Sequence, residues 1–165
     1  MTEEEITNMF NSFERGETSS VKIWEALKKQ FGFQKSLELI PTNILIDILE
    51  NDNRIPYKGM ARCFTSRIRY KDVLRYSKDV ELLKFIIKER KEDNYTTLLN
   101  LSENPFLKDE ELMWEITRSD SYIPREYLAN HENVTTDILK HLYHKDKSSK
   151  VRNAAAHNLI KRLER

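Results

Sequence analysis

Tyr127-Leu128-Ala129-Asn130-His131-Glu132-Asn133-Val134-Thr135-Thr136-Asp137-Ile138-Leu139, followed by Asp146 and then Val151-Arg152-Asn153-Ala154-Ala155-Ala156-His157-Asn158, is the stretch on which the fold turns. Shifting the chain by 27 residues lays Arg125 on Arg152 and Ala129 on Ala156, and further back Leu101 on Leu128, Ser102 on Ala129 and Leu112 on Leu139. A shift of 68 residues lays Ile48 on Ile116, Asp52 on Asp120, Ile55 on Ile123, Pro56 on Pro124 and Ala61 on Ala129. The repeating unit is a helix with an aliphatic pair, an Asp in the link, and a second helix with a small residue at Ala61, Ser102, Ala129 or Ala156. A small side chain there lets helices approach closely, and the link Asp is placed to cap the second helix. One helix hairpin cannot bury an aliphatic pair alone, so such units must stack.

The rest of the chain reads as helix too. Thr2-x-x-Glu5 is a capping box before the stripe Ile6, Met9, Phe10 and Phe13, with Gly16 as the stop. Ser19 or Ser20 caps a helix burying Val21, Trp24, Leu27 and Phe31 and ended by Gly32. Pro41-Thr42 opens another through Ile44, Leu45, Ile48 and Leu49. Asp79, Asp109 and Thr135 or Thr136 each precede a further apolar-periodic run. Only 3 Gly and 4 Pro in 165 residues argue against a turn-rich sandwich or barrel. The fold class expected is all-α: a short solenoid of stacked helix hairpins over residues 41–165, continuous with an N-terminal helical cap over residues 1–40. Residues 64–78 fall out of the repeat register and read as an insertion or a degenerate unit.

The quoted stretch, with Leu101-Ser102-Glu103-Asn104-Pro105 one unit earlier, resembles the leucine-rich-repeat-variant type of HEAT-like helical repeat. The resemblance covers residues 41–63 and 95–160. It implies a curved α-solenoid of helix pairs. Some members of that family hold an iron–sulfur cluster through several cysteines; this chain has Cys63 alone, so no cluster is carried over. HEAT-like solenoids of the alkylation-repair glycosylase kind use basic concave surfaces for DNA.

Composition bounds the function. The chain carries 28 basic and 27 acidic side chains, but they are segregated. Residues 1–54 are net −4, 55–92 net +6, 93–139 net −7 and 140–165 net +6. One reading is a solvated surface with salt bridges between neighbouring helices; the other is a dipolar surface that selects a charged partner. No apolar run reaches the ~18 residues that a membrane span needs, and the acidic opening Met1-Thr2-Glu3-Glu4-Glu5 is unlike a secretory signal. A cytoplasmic location is expected. A lone cysteine excludes an internal disulfide framework.

Chemistry-bearing motifs are sparse. There is no glycine-rich phosphate loop, no Gly-x-Ser-x-Gly and no His-Glu-x-x-His; catalytic, cofactor and metal residues are accordingly read as none. His141-x-x-His144 places two imidazoles one helical turn apart, with Asp137 a turn earlier, but no third zinc ligand is fixed by spacing. Trp24 and Trp114 lie on or near apolar stripes and read as core.

Three functions follow from these residues. The favoured one is a non-catalytic interaction module binding a protein partner through Arg67, Arg69, Arg75 and Tyr76 with Glu103, Asp109, Glu110 and Glu111. Usage heavy in Lys, Ile, Glu and Asn suits a low-GC bacterium or a phage, and a phage or mobile-element protein acting on a host protein would fit. The alternative is a nucleic-acid binder using the basic blocks 58–91 and 140–165, through Lys58, Arg62, Arg67, Arg69, Lys71, Arg75, Lys147, Lys150 and Arg152. Arg152 also reads as a link between repeats, since it recurs as Arg125. The third is an alkylation-repair-like glycosylase, which needs an acidic residue beside exposed aromatics. Sequence leaves oligomeric state open.

Overall fold

The structure is a computed structural model that describes residues 1–52, 70–89 and 94–164. Among the described residues there are helices and no strand. They are α1 (Glu3–Glu14), α2 (Ser20–Phe31), α3 (Phe33–Leu39), α4 (Thr42–Asp52), α5 (Tyr70–Tyr76), α6 (Val80–Glu89), α7 (Asn94–Ser102), α8 (Glu110–Thr117), α9 (Tyr122–Asn130), α10 (Thr136–Lys145) and α11 (Ser149–Leu163). The chain forms two compact units, Met1–Arg69 and Tyr70–Arg165. The division expected from sequence lay at 40/41; instead α4 packs on α2 inside the first unit.

Local chemistry sets the helix starts. Thr2 and Glu5 form the reciprocal capping box, with Thr2 N–H donating to Glu5 Oε2 at 2.7 Å and Glu5 N–H to Thr2 Oγ1 at 3.2 Å. Ser19 accepts from Lys22 N–H, Asp79 from Leu82 N–H, Asp109 from Leu112 N–H and Thr135 from Ile138 N–H, so these four caps stand where the sequence puts them. Gly32 (φ 78°, ψ 174°) ends α2 and opens α3 in a backbone conformation that is essentially glycine's alone and costs other residues about 1–3 kcal/mol.

In the first unit α2 is central, packed by α1, α3 and α4. Ile23, Trp24 and Leu27 are buried, as are Ile44, Leu45, Ile48 and Leu49 of α4. Trp24 meets Phe33 edge-on with centroids 5.4 Å apart. Val21, expected inside, is 42% exposed. The buried face runs through Ser20, Ile23, Trp24 and Leu27, and Val21 sits about 100° around the helix from Ser20. Ser20 is buried because its hydroxyl donates to Asp47 Oδ2 at 2.5 Å. The stripe Ile6, Met9, Phe10 and Phe13 of α1 is only half-buried.

In the second unit α5, α7, α9 and α11 pack in succession, each on the next; we call them B helices. The alternating α6, α8 and α10 are A helices, and α8 packs on α10. The aliphatic pairs are inside: Leu82 and Leu83, Leu112 and Met113, Ile138 and Leu139. The small positions Ser102 and Ala129 are buried, whereas Ala156 on the last helix is half-exposed. The expected match of α4 to α8 holds for burial, since Ile44, Leu45 and Ile48 are buried like Leu112, Met113 and Ile116. Its remaining partners Ile55, Pro56 and Ala61, and Cys63, lie outside the described residues. Far from breaking register, residues 70–77 supply the first B helix of this unit and the first rung of its polar column, described next.

Candidate interaction surface

Where each B helix ends, one residue does the same two jobs. Ser77, Asn104 and His131 follow α5, α7 and α9 at intervals of 27 residues. Each side chain accepts the N–H two residues on: Ser77 Oγ from Asp79 (3.1 Å), Asn104 Oδ1 from Phe106 (2.8 Å) and His131 Nδ1 from Asn133 (3.1 Å). Each backbone carbonyl accepts from the side chain 27 residues later. Asn104 Nδ2 donates to Ser77 O and Leu74 O, both at 2.8 Å; His131 Nε2 donates to Asn104 O at 2.8 Å; Asn158 Nδ2 donates to Ala129 O at 3.0 Å and His131 O at 3.5 Å. Because Nδ1 of His131 accepts a backbone N–H, its Nε2 carries the proton. At Asn158 the helix runs on to Leu163, and Arg162 turns back to donate to Val134 O at 2.6 Å and Glu132 O at 3.4 Å. The column therefore closes at α11.

The opposite edge, where A helices pass into B helices, is cross-linked by charge. Arg125 on α9 grips Asp146 of the next link, Nε to Oδ2 at 2.7 Å and Nη2 to Oδ1 at 3.1 Å. Its Nη1 donates to the carbonyls of Ser119 and Ser121. Asp146 Oδ1 also accepts Ser148 N–H at 2.8 Å. The two side chains are 10% and 3% exposed, so this is a buried bidentate pair with its lone pairs used. Arg152 repeats one of these bonds, Nη1 to Asp146 O at 2.8 Å, and adds Lys147 O at 3.0 Å. Arg125 thus links its unit to the next, as read, whereas Arg152 bonds on this edge only to the link that precedes its own helix. The link Asp needs correcting: Asp120 is exposed and Ser121 caps α9 instead. The 27-residue shift sets Ser119, not Asp120, against Asp146.

The residues expected to bind a partner are partly occupied with each other. Arg75 ends α5 and pairs with Glu103, which follows α7. Lys84 on α6 meets Asp109 at 3.5 Å and Glu111 at 2.5 Å. The hydrogen bond that Lys84 donates to Glu111, with both carboxylates' charge, holds its ammonium above the ordinary lysine range. Glu110 accepts from Trp114 Nε1 at 3.3 Å. Tyr76 is 40% exposed at the end of α5. Arg67 and Arg69, with Lys58 and Arg62, lie outside the described residues. Lys71 is exposed on α5, and Lys147 and Lys150 are exposed near Arg152.

Trp114, expected in the core, is half-buried, with its ring edge-on to His141 at 5.0 Å. The imidazole of His144 packs against Tyr143. Among the described residues no three His, Cys, Asp or Glu side chains cluster to hold a metal ion.

Two features were missed from sequence. Tyr95 and Tyr122 are exposed, 27 residues apart, in the first turns of α7 and α9, and the Lys150 ammonium sits 5.0 Å over the Tyr122 ring. The repeat interval itself was the signal. The second feature is a cavity of about 250 Å³ lined by Thr117, Arg118, Ser119, Asp120, Arg125, His141, Leu142, Lys145, Asp146 and Lys147, where successive A-to-B links meet.

No protein-family model, no curated protein and no solved structure matches the chain. Among the described residues no helix is long and apolar enough to cross a membrane.

Proposed function

We propose that this chain is a non-catalytic interaction module. In this reading residues 70–165 form a short α-solenoid of HEAT-like helix pairs whose surface binds a protein partner. The regular interval of the polar column supports the solenoid, because each unit is completed by hydrogen bonds to its neighbour. One observation favours a protein over a nucleic acid. Arg75 and Lys84, described members of the first basic block, are neutralised by Glu103, Asp109 and Glu111 one unit on. A phosphate-tracking surface would leave those cations to the ligand. Exposed Tyr76, Tyr95, Tyr122, Tyr127 and Tyr143 supply the residue type that interfaces favour, an aromatic body with a polar tip.

The test is affinity capture with the full chain from a lysate of the cells that express it and, for a phage-encoded chain, of their host. The comparison is with a Tyr95→Ala/Tyr122→Ala/Tyr127→Ala variant of unchanged circular dichroism. A partner recovered at least tenfold less by the variant supports the module. Equal recovery by both, or recovery of nucleic acid alone with a low-salt gel shift abolished by Arg67→Ala/Arg69→Ala/Arg75→Ala, overturns it in favour of the nucleic-acid reading.

A further inference from the structure

We propose that the cavity between the 117–120 and 145–147 links is a carboxylate site, and that the segment it takes is an acidic stretch of protein. This inference rests on the interaction-module reading and names the chemistry of its partner.

The floor is electrically quiet. Asp146 has both oxygens committed, to Arg125 and to Ser148 N–H, and Arg125 spends its remaining bonds on the carbonyls of Ser119 and Ser121. The buried carboxylate therefore neither draws in a cation nor repels an anion strongly, because the guanidinium beside it cancels its charge. The rim is where the unbalanced charge stands. Arg118, Lys145 and Lys147 line it against one carboxylate, Asp120. Arg118 is tied to Glu115, but Lys145 and Lys147 make no ion pair among the described residues. Two of these cations follow from helix polarity: Arg118 at the C-cap of α8 and Lys145 in the last turn of α10 complement the negative ends of those helices, and the antiparallel alternation brings both ends to one edge, with Lys147 in the link just beyond.

Size and charge pattern select the occupant. About 250 Å³ accommodates a side chain with its hydration, not a stretch of backbone with several phosphates. Asp120 and Glu115 stand beside the cations, so a polymer charged at every unit meets repulsion as well as attraction. A peptide can set a Glu or Asp against Lys145 and Lys147 and place neutral residues opposite Asp120. Next to the rim, Tyr122 with Lys150 above it offers an aromatic face and a further cation.

The experiment uses the full chain and fluorescein-labelled hexaglutamate at low salt, read by fluorescence anisotropy and by amide chemical shifts. Saturable binding is expected, with shifts centred on Ser119, Lys145 and Lys147. Lys145→Glu/Lys147→Glu weakens it at least tenfold with unchanged circular dichroism, and Lys140→Glu/Lys161→Glu leaves it within twofold. No binding of hexaglutamate, equal loss in both charge-reversal variants, or tighter binding of a ten-residue oligothymidylate shifting the same amides overturns the proposal. Recovery of a partner in the capture experiment, undiminished by Lys145→Glu/Lys147→Glu, removes the carboxylate site and leaves the module standing. Equal recovery of every partner by the unaltered chain and the tyrosine variant removes the module itself.

Discussion

The two edges of residues 70–165 do the same mechanical work with opposite chemistry. Where B helices end, neutral groups join the units: a serine, an asparagine and a histidine occupy one position and make the same pair of bonds. Where A helices end, a buried ion pair joins α9 to the link before α11. The neutral column tolerates three side-chain types because each rung needs an acceptor for the local N–H, and each rung after the first also needs a donor for the preceding carbonyl, which both an amide and an imidazole supply. The charged edge does not, because a buried guanidinium demands a carboxylate at one position. The lesson is that repeat register here is carried by bond geometry rather than by residue identity, and that the A-to-B edge keeps Lys145 and Lys147 outside its ion pair.

Mutations grade this contrast. Arg125→Ala strands the Asp146 carboxylate, and a loss of about 3–5 kcal/mol is expected in urea unfolding followed by circular dichroism. Replacing both partners together, Arg125→Met/Asp146→Leu, should recover most of that loss. Asn104→Ala removes two donors from the carbonyls of Leu74 and Ser77 at a position with no exposure, for about 2–3 kcal/mol. His131→Ala should cost about 1–2 kcal/mol, while His131→Asn, the residue found one interval before and after, should cost less than half as much. Nitrogen-15 spectra of the imidazole should show the proton on Nε2. If Asn is no better than Ala at 131, the equivalence of the column's rungs is lost.

The smallest effects belong to exposed charges. Glu103→Gln, which opens the partly exposed pair with Arg75, should cost under about 1 kcal/mol and less still in high salt. Lys84 is raised in the folded state, so its pairing contributes below the ordinary lysine range and is lost as pH rises through the folded value. A slight decline in stability as pH rises past the ordinary lysine range, smaller in Glu111→Gln, is expected from unfolding curves at successive pH values.

How much of this was legible beforehand depends on distance along the chain. Thr2, Ser19, Asp79, Asp109 and Thr135 cap their helices as read, because a cap bonds within its own first turn. Val21 was misplaced because two helical stripes compete at that position, and Ser20 takes the inner place only by reaching Asp47 on another helix. Asp120 looked like the link Asp since it aligns with Asp52, yet the bond to Arg125 falls at Asp146, opposite Ser119. Of the candidate surface, the alternating charge blocks allowed salt bridges between neighbouring helices, but not which residues would pair, and Arg75 and Glu103 neutralise one another.

The helices, their starts and the 27-residue interval belong to the sequence, because propensity, capping and apolar period act over one or two turns. Which charges cancel and which remain was decided by the stack. Arg75 with Glu103, Lys84 with Glu111 and Arg125 with Asp146 are 21 to 28 residues apart, and only the packing of one helix pair on the next brings them within bonding distance. The same packing leaves Lys145 and Lys147 at the rim of a cavity that no local pattern announces.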